Sequence, residues 1–305
     1  MPISTVYSGQ GPRLTVNSMI ADPLMIRARL LQMADQQFIM EALLRPVPST
    51  PSGAIVFSES TPLFASDDAT DVAEGGEIPL GVGQDGLPRV AHTTKTGLGI
   101  EITREMRDRN RTDLVNLRLD QVRNTLVRNW ERKLFAAFSE LTPAVTINAA
   151  NPWASSTTIR NDIGGAVKGI TTAVTPNSDP NNNQDYIGFV PDTLVIPFAS
   201  QYDIMLNTSF TSLYLGGDIA ERNPQYTFQL ERNVMNLQVL MSRFLPAGTA
   251  YVLQSKVCGG WSDERPLGVT PLYPDQPREV WRADVVRRTG IFIDQPLSVA
   301  KIVGI

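Results

Sequence analysis

Residues 86–106 read GLPRVAHTTKTGLGIEITREM, and residues 112–143 read TDLVNLRLDQVRNTLVRNWERKLFAAFSELTP. The second stretch keeps one period throughout. Val115, Leu119, Val122, Leu126, Trp130, Leu134, Ala137 and Leu141 recur at spacings of three and four, which places them on one face of an α-helix. Arg118, Arg123, Arg128 and Arg132 stay off that face. Thr112 is placed to cap the helix and Pro143 to end it, a span of about 30 residues or roughly 45 Å at 1.5 Å per residue. Helices average about 11–12 residues, so this one predicts a structural spine. The first stretch behaves oppositely. Threonine, valine and isoleucine dominate residues 89–103, which predicts a long β segment feeding into the helix.

Upstream, Ala54-Ile-Val-Phe predicts a short strand, and with residues 89–103 it frames a long two-stranded excursion. That excursion has too few apolar residues for a core of its own, and a lone hairpin is marginal in water. It must lie against something else. Pro46, Pro48 and Pro51 predict a stiff linker. Before them, Asp22-Pro23 opens a helix carrying Leu24, Ile26, Leu30, Leu31, Ala34, Phe38, Ala42 and Leu43, while residues 1–21 read as an extended arm. The linker suggests that this helix packs between copies of the chain. Downstream, residues 155–174 predict a capped helix weakened by three glycines, followed by a polar loop at 177–185. Residues 190–197 predict a buried strand and 199–206 a short helix. Residues 233–257 predict short strands around a Pro246-Ala-Gly turn, and 278–305 closing strands.

The chain has 305 residues, 42% of them apolar and 19% charged, which is globular composition. No run approaches eighteen apolar residues, and the N-terminus lacks the apolar core of a secretion signal. Cys258 is the only cysteine, which excludes an internal disulfide and a cysteine metal cage. His92 is the only histidine, so multi-histidine zinc sites are excluded and one Ser–His–Asp arrangement is left. A net charge of −4 argues against a dedicated nucleic-acid binder. Gly81-Val-Gly-Gln-Asp-Gly86 matches a dinucleotide fingerprint by spacing, but no buried strand precedes it and no helix follows. His92 reads as a strand residue, and Cys258 as a small buried one. The acid pairs Asp67-Asp68 and Asp263-Glu264 read as solvated carboxylates in polar turns. No catalytic, cofactor or metal site is expected.

Charge is segregated. Residues 46–88 hold no lysine or arginine and seven acids, whereas the rest of the chain carries 27 basic and 24 acidic residues. Twenty-two of the 27 are arginine, which makes forked contacts to carboxylates and is favoured at interfaces. Asp67, Asp68, Asp71, Glu74 and Glu77 are therefore expected to meet arginines of another copy. The candidates are Arg118, Arg123 and Arg128 on the spine, or Arg282, Arg287 and Arg288 on the closing strands. A solvated acidic loop is the competing reading.

The order of these elements resembles the tailed-phage major capsid protein family, with its Hong Kong 97-like fold. Four stretches carry the resemblance. They are EGGEIP (74–79) with the 86–106 stretch, VPDTLVIPFASQYDIMLN (190–207), NLQVLMSRFLPAGTAYVL (236–253) and VVRRTGIFIDQPLSVAKIVGI (285–305). The resemblance implies an α+β subunit with an N-terminal arm and helix (1–53) and an extended β-hairpin loop (54–104). It also implies a peripheral domain with the spine helix (105–154 and 274–305) and an axial domain (155–273). Such subunits form hexamers and pentamers that close an icosahedral shell around double-stranded DNA in the virion, assembled in the host cytoplasm. About 50 residues precede the loop, so a separate scaffolding protein is expected rather than a fused one, together with a portal and no membrane, while the presence of a decoration protein is left open. Some members join a loop lysine to a neighbour with help from a buried glutamate. Here the only lysine in 54–104 is Lys95, and residues 283–288 read ADVVRR, so that chemistry is not expected. An encapsulin shell is the alternative within the fold, and a soluble hydrolase built on His92 the alternative outside it.

Overall fold

The computed structural model describes residues 6–7, 12–13, 15–16, 20, 38–49, 51–62, 64–65, 69, 71–78, 80–155, 158–175, 185–207 and 233–305. Most of the helix expected from Asp22 lies outside them. Two short strands, β1 (Val6–Tyr7) and β2 (Pro12–Arg13), pair antiparallel, and then come α1 (Ile39–Leu43) and β3 (Arg45–Pro46). The hairpin strands are β4 (Ala54–Glu59) and β5 (Leu87–His92), after which β6 (Thr94–Thr103) runs into α2 (Arg104–Asp108) and α3 (Thr112–Glu140). Next are β7 (Val145–Asn148), α4 (Ile159–Thr171), β8 (Thr193–Pro197) and α5 (Ser200–Leu206). The chain closes with β9 (Asn233–Val234), β10 (Leu237–Ser242), β11 (Thr249–Leu253), β12 (Gly259–Val269), β13 (Tyr273–Asp275), β14 (Val280–Ile293) and β15 (Val299–Val303).

Helix α3 is the expected spine, 29 residues long, with Val115, Leu119, Val122, Leu126, Trp130 and Leu134 buried as the period predicts. Its last turns depart from the stripe. Phe135 and Phe138 are buried in place of Ala137 and Leu141, because Phe138 turns to Tyr251 of β11, ring centroids 5.5 Å apart. Thr112 is not the cap. Arg111 holds that position after a turn at Asn110 with φ of 47°, and the Thr112 hydroxyl bonds Asp113 instead.

Two sheets flank the spine. The first has the order β13-β14-β12-β3, with β6 also paired to β14 along its whole length, from Thr94 opposite Thr289 to Thr103 opposite Val280. The second has the order β7-β15-β11-β8-β10-β9 and is mixed. Its central strand β8 is buried at all five residues because both faces are covered, one towards α3 and one by α4. The glycines of α4 serve this packing: a Cβ on Gly169 would fall 2.3 Å from Val145 Cγ1, so only glycine lets the helix settle on β7.

The sheets cut across the residue blocks expected from the sequence. The closing strand β15 and also β7 join the second sheet, whereas β12 joins the first. The proline linker is not a linker either. Phe38, Met40, Leu43 and Leu44 are buried in the core around α3, and β3 pairs parallel with β12. Val47 N–H donates to Trp261 O at 2.8 Å, so residues 38–47 are part of the subunit's own core. The β segment at 89–103 breaks once, at Thr93, where the hairpin ends and sheet pairing begins.

Candidate assembly surface

The hairpin is one-sided. Ile55 and Phe57 face β14, with Phe57 stacked on Phe292 at 4.9 Å between ring centroids. The other face carries the cross-strand pair Val56 and Val90, of which Val56 is 73% exposed. Beyond the strands, Ile78, Leu80 and Val82 stand in solvent, Leu80 at 87%. These are large apolar side chains on a thin projection, an arrangement that a lone monomer rarely shows. Asp71, Glu74 and Glu77 are exposed on the same loop and make no ion pair among the described residues. Asp67 and Asp68 lie outside the described residues.

The arginines expected to receive these acids divide into two groups. Arg287 is withdrawn from any such contact. Its side chain is 3% exposed and sits over the rings of Phe38, Trp130 and Trp261 at 5.0–5.3 Å. Its guanidinium bonds Asp263 through Nε at 3.0 Å and Glu41 through Nη2 at 3.2 Å. Arg288 donates to Glu264 at 2.8 Å, and Arg282 to Asp284 at 2.9 Å. Asp263 and Glu264 are thus not solvated turn acids but strand residues of β12 that neutralise arginines of β14. The sequence contains both partners, but only the antiparallel register of β12 and β14 makes them neighbours.

On the spine, Arg118 is half-buried and donates to Glu101 O at 2.6 Å. Arg123 leans on Asp120 at 3.6 Å and on Asn124. Arg128 is exposed and makes no ion pair among the described residues.

His92 closes β5 in solvent, and its side chain makes no hydrogen bond among the described residues. The 81–86 glycine run is a loop that enters β5, not a helix. Burial pushes the Cys258 thiol up to about 12, so it carries no thiolate at neutral pH. Among the described residues no cluster of three or more metal-binding side chains occurs, and no helix is long and apolar enough to cross a membrane.

Comparison with known proteins agrees with this arrangement. A search of the curated proteins returns no match. Among solved structures, the capsid of the cyanophage P-SCSP1u is similar at a TM-score of 0.62 and 13% identity, covering 86% of each chain. The virus-like particle from Pyrococcus furiosus is similar at 0.58 and 10% identity, covering 92% of this chain and 98% of that one. The SrpI encapsulin from Synechococcus elongatus is similar at 0.50 and 9%, covering 88% and 86%. At such identities the likeness shows the fold, which is the Hong Kong 97-like α+β fold. Residues 88–302 match the family described as phage capsid protein, which is well over half of the chain. The chain therefore belongs to the phage capsid protein family, and its role is that of a structural, non-enzymatic component of a virion shell.

Proposed function

We propose that the chain is the major head subunit of a tailed phage, closing as hexamers and pentamers into an icosahedral shell around double-stranded DNA. The observation that carries this reading is the family match over residues 88–302 on a subunit whose hairpin is covered on one face only. In the assembled shell the exposed Val56, Val90, Ile78 and Leu80 would be covered by neighbouring copies. The sheet of β3, β6 and β12–β14 with α3 would form the peripheral domain. The six-stranded sheet with α4 and α5 would form the axial one. Residues 54–92 would form the extended loop, following an N-terminal arm. A separate scaffolding protein and a portal would complete the head.

The acidic loop would dock on the spine of a neighbour. Arg128 is the strongest docking point because it is exposed and makes no ion pair among the described residues, whereas Arg123 and Arg118 of the same helix are already engaged within the subunit. Arg282 already holds Asp284 of its own strand and Arg288 holds Glu264 of β12, while Arg287 is buried. An exposed pair contributes only about 0–1 kcal/mol, but one such contact recurs in every copy. The test is particle yield and disassembly temperature across a salt series for the triple variant Asp71→Asn, Glu74→Gln, Glu77→Gln. Weaker shells with a flatter salt response are expected, since fewer pairs remain to be screened. Curves identical to the unsubstituted chain would mean a solvated loop. The likeness to an encapsulin keeps one alternative, which packaged cargo protein in place of DNA in native particles would establish.

A further inference from the structure

The adjacent acids Asp263 and Glu264 on β12 have different neighbours, and the reason is a slip in register. Asp263 pairs with Thr289 and Arg265 with Arg288, which leaves Glu264 as the extra residue of a β-bulge. A bulge re-aims a side chain. Asp263 meets Arg287 and Thr289, whereas Glu264 reaches the base of the hairpin. There Glu264 Oε2 accepts the Thr93 hydroxyl at 2.6 Å, and Oε1 accepts Arg288 Nη1 at 2.8 Å. These two hydrogen bonds hold the Glu264 carboxyl below the usual carboxylate range, so it is charged at neutral pH.

Thr93 is the single residue between β5 and β6, the point where the chain leaves the hairpin. Its N–H donates to Gly53 O at 3.0 Å. Gly53, with φ of +72°, is where the chain enters β4, and a Cβ there would stand 3.6 Å from Thr93 Oγ1 and 3.8 Å from Glu264 Oε2. One carboxylate therefore sits against both ends of the excursion. The rest of the seat is a short row along β14 and just beyond it. Ile55 fills a notch over Gly290, where a Cβ would come within 2.8 Å of its Cδ1. Phe57 lies on Phe292, and Ser60 N–H donates to Asp294 O at 2.8 Å.

We propose that Glu264 is a latch that holds the hairpin down on β14, with Gly53 and Thr93 as the pivots about which it lifts when the latch is lost. This rests on the shell reading for its consequence, because the pitch of the hairpin sets where its loop meets the next copy. The bond from Thr93 and the pair with Arg288 act together: one fixes the pivot, the other fixes the carboxylate that holds it.

The test is amide hydrogen exchange on unassembled full-length subunits, comparing Glu264→Ala and Thr93→Val with the unsubstituted chain. Thr93→Val keeps the shape of the side chain and removes only the hydroxyl donor. Amides of residues 54–60 and 87–92 should exchange about tenfold faster in both variants, while β12, β14 and α3 keep their protection. Unchanged hairpin exchange in either variant would overturn the latch. So would a rise in β12 and β14 as large as that in the hairpin, since Glu264 would then be an ordinary sheet residue. The readout needs no shell, so it stands apart from whether the subunit closes particles.

Discussion

Among the described residues, Arg287 and Glu131 are two of the buried charges through which the subunit's layers meet. Arg287 ties α1, α3 and β12 together, since Glu41, Trp130 and Asp263 all touch it. Removing one partner of such a buried pair leaves the other uncompensated, which costs about 3–5 kcal/mol. Glu131 stands on α3 and accepts the hydroxyl of Ser242 at the end of β10, so it links the spine to the second sheet. Burial pushes its carboxyl up, against the opposing pull of Ser242 and Arg243. Because the folded value lies above the unfolded one, the stabilisation from Glu131 is full below its unfolded value. It is lost as pH rises through the folded value. Glu131→Gln keeps an acceptor for Ser242 and removes the titration. We therefore expect this variant to match the unsubstituted subunit at pH 4 and to exceed it in urea midpoint at pH 8. Parallel stability curves across that range would show that Glu131 does not titrate on folding.

Among the elements, α1 and β3 changed role most between sequence and structure. The prolines at 46, 48 and 51 suggested a joint, and the helix before them a part held by another copy. In the fold, Pro46 lies in an edge strand, where a missing N–H is tolerated. Met40, Leu43 and Leu44 are fully buried. Each such side chain removed from a core costs about 2–5 kcal/mol, against a total stability of about 5–15 kcal/mol. Deletion of residues 2–45 should therefore give no folded core: circular dichroism should show no cooperative melt, and the chain should aggregate. A soluble truncated chain with a sharp transition would return α1 to the role of a detachable arm.

At the scale of the whole molecule, the subunit is two sheets on one spine, with a hairpin projecting from the first. Its contacts with other copies are expected to be non-covalent. Lys95 is the only lysine in residues 54–104, and it lies within β6 opposite Arg288. No glutamate lies in residues 280–290 to assist an amide-forming step. Mature particles boiled in denaturant should run as a single band at 33.5 kDa. A ladder of multiples that persists under reducing conditions would establish links between chains.

The period of residues 112–143 was enough to place the spine, and β-branched runs were enough to place β4, β6, β8 and β14, because helix and strand periodicity are local properties of the chain. The order of these elements carried the family. Their partners were not legible. β15 follows β14 closely yet pairs with β11 in the other sheet, since pairing depends on which faces are buried together rather than on adjacency. The acids Asp263 and Glu264 looked solvated because nothing near them in sequence is basic except Arg265. Their neutralising arginines lie 24 residues away and are brought opposite by register and a bulge. Exposed Arg128 and buried Arg287 look alike as letters. Only the packing of α1, α3 and β12 around one of them decided which is held within the subunit and which stays exposed on its surface.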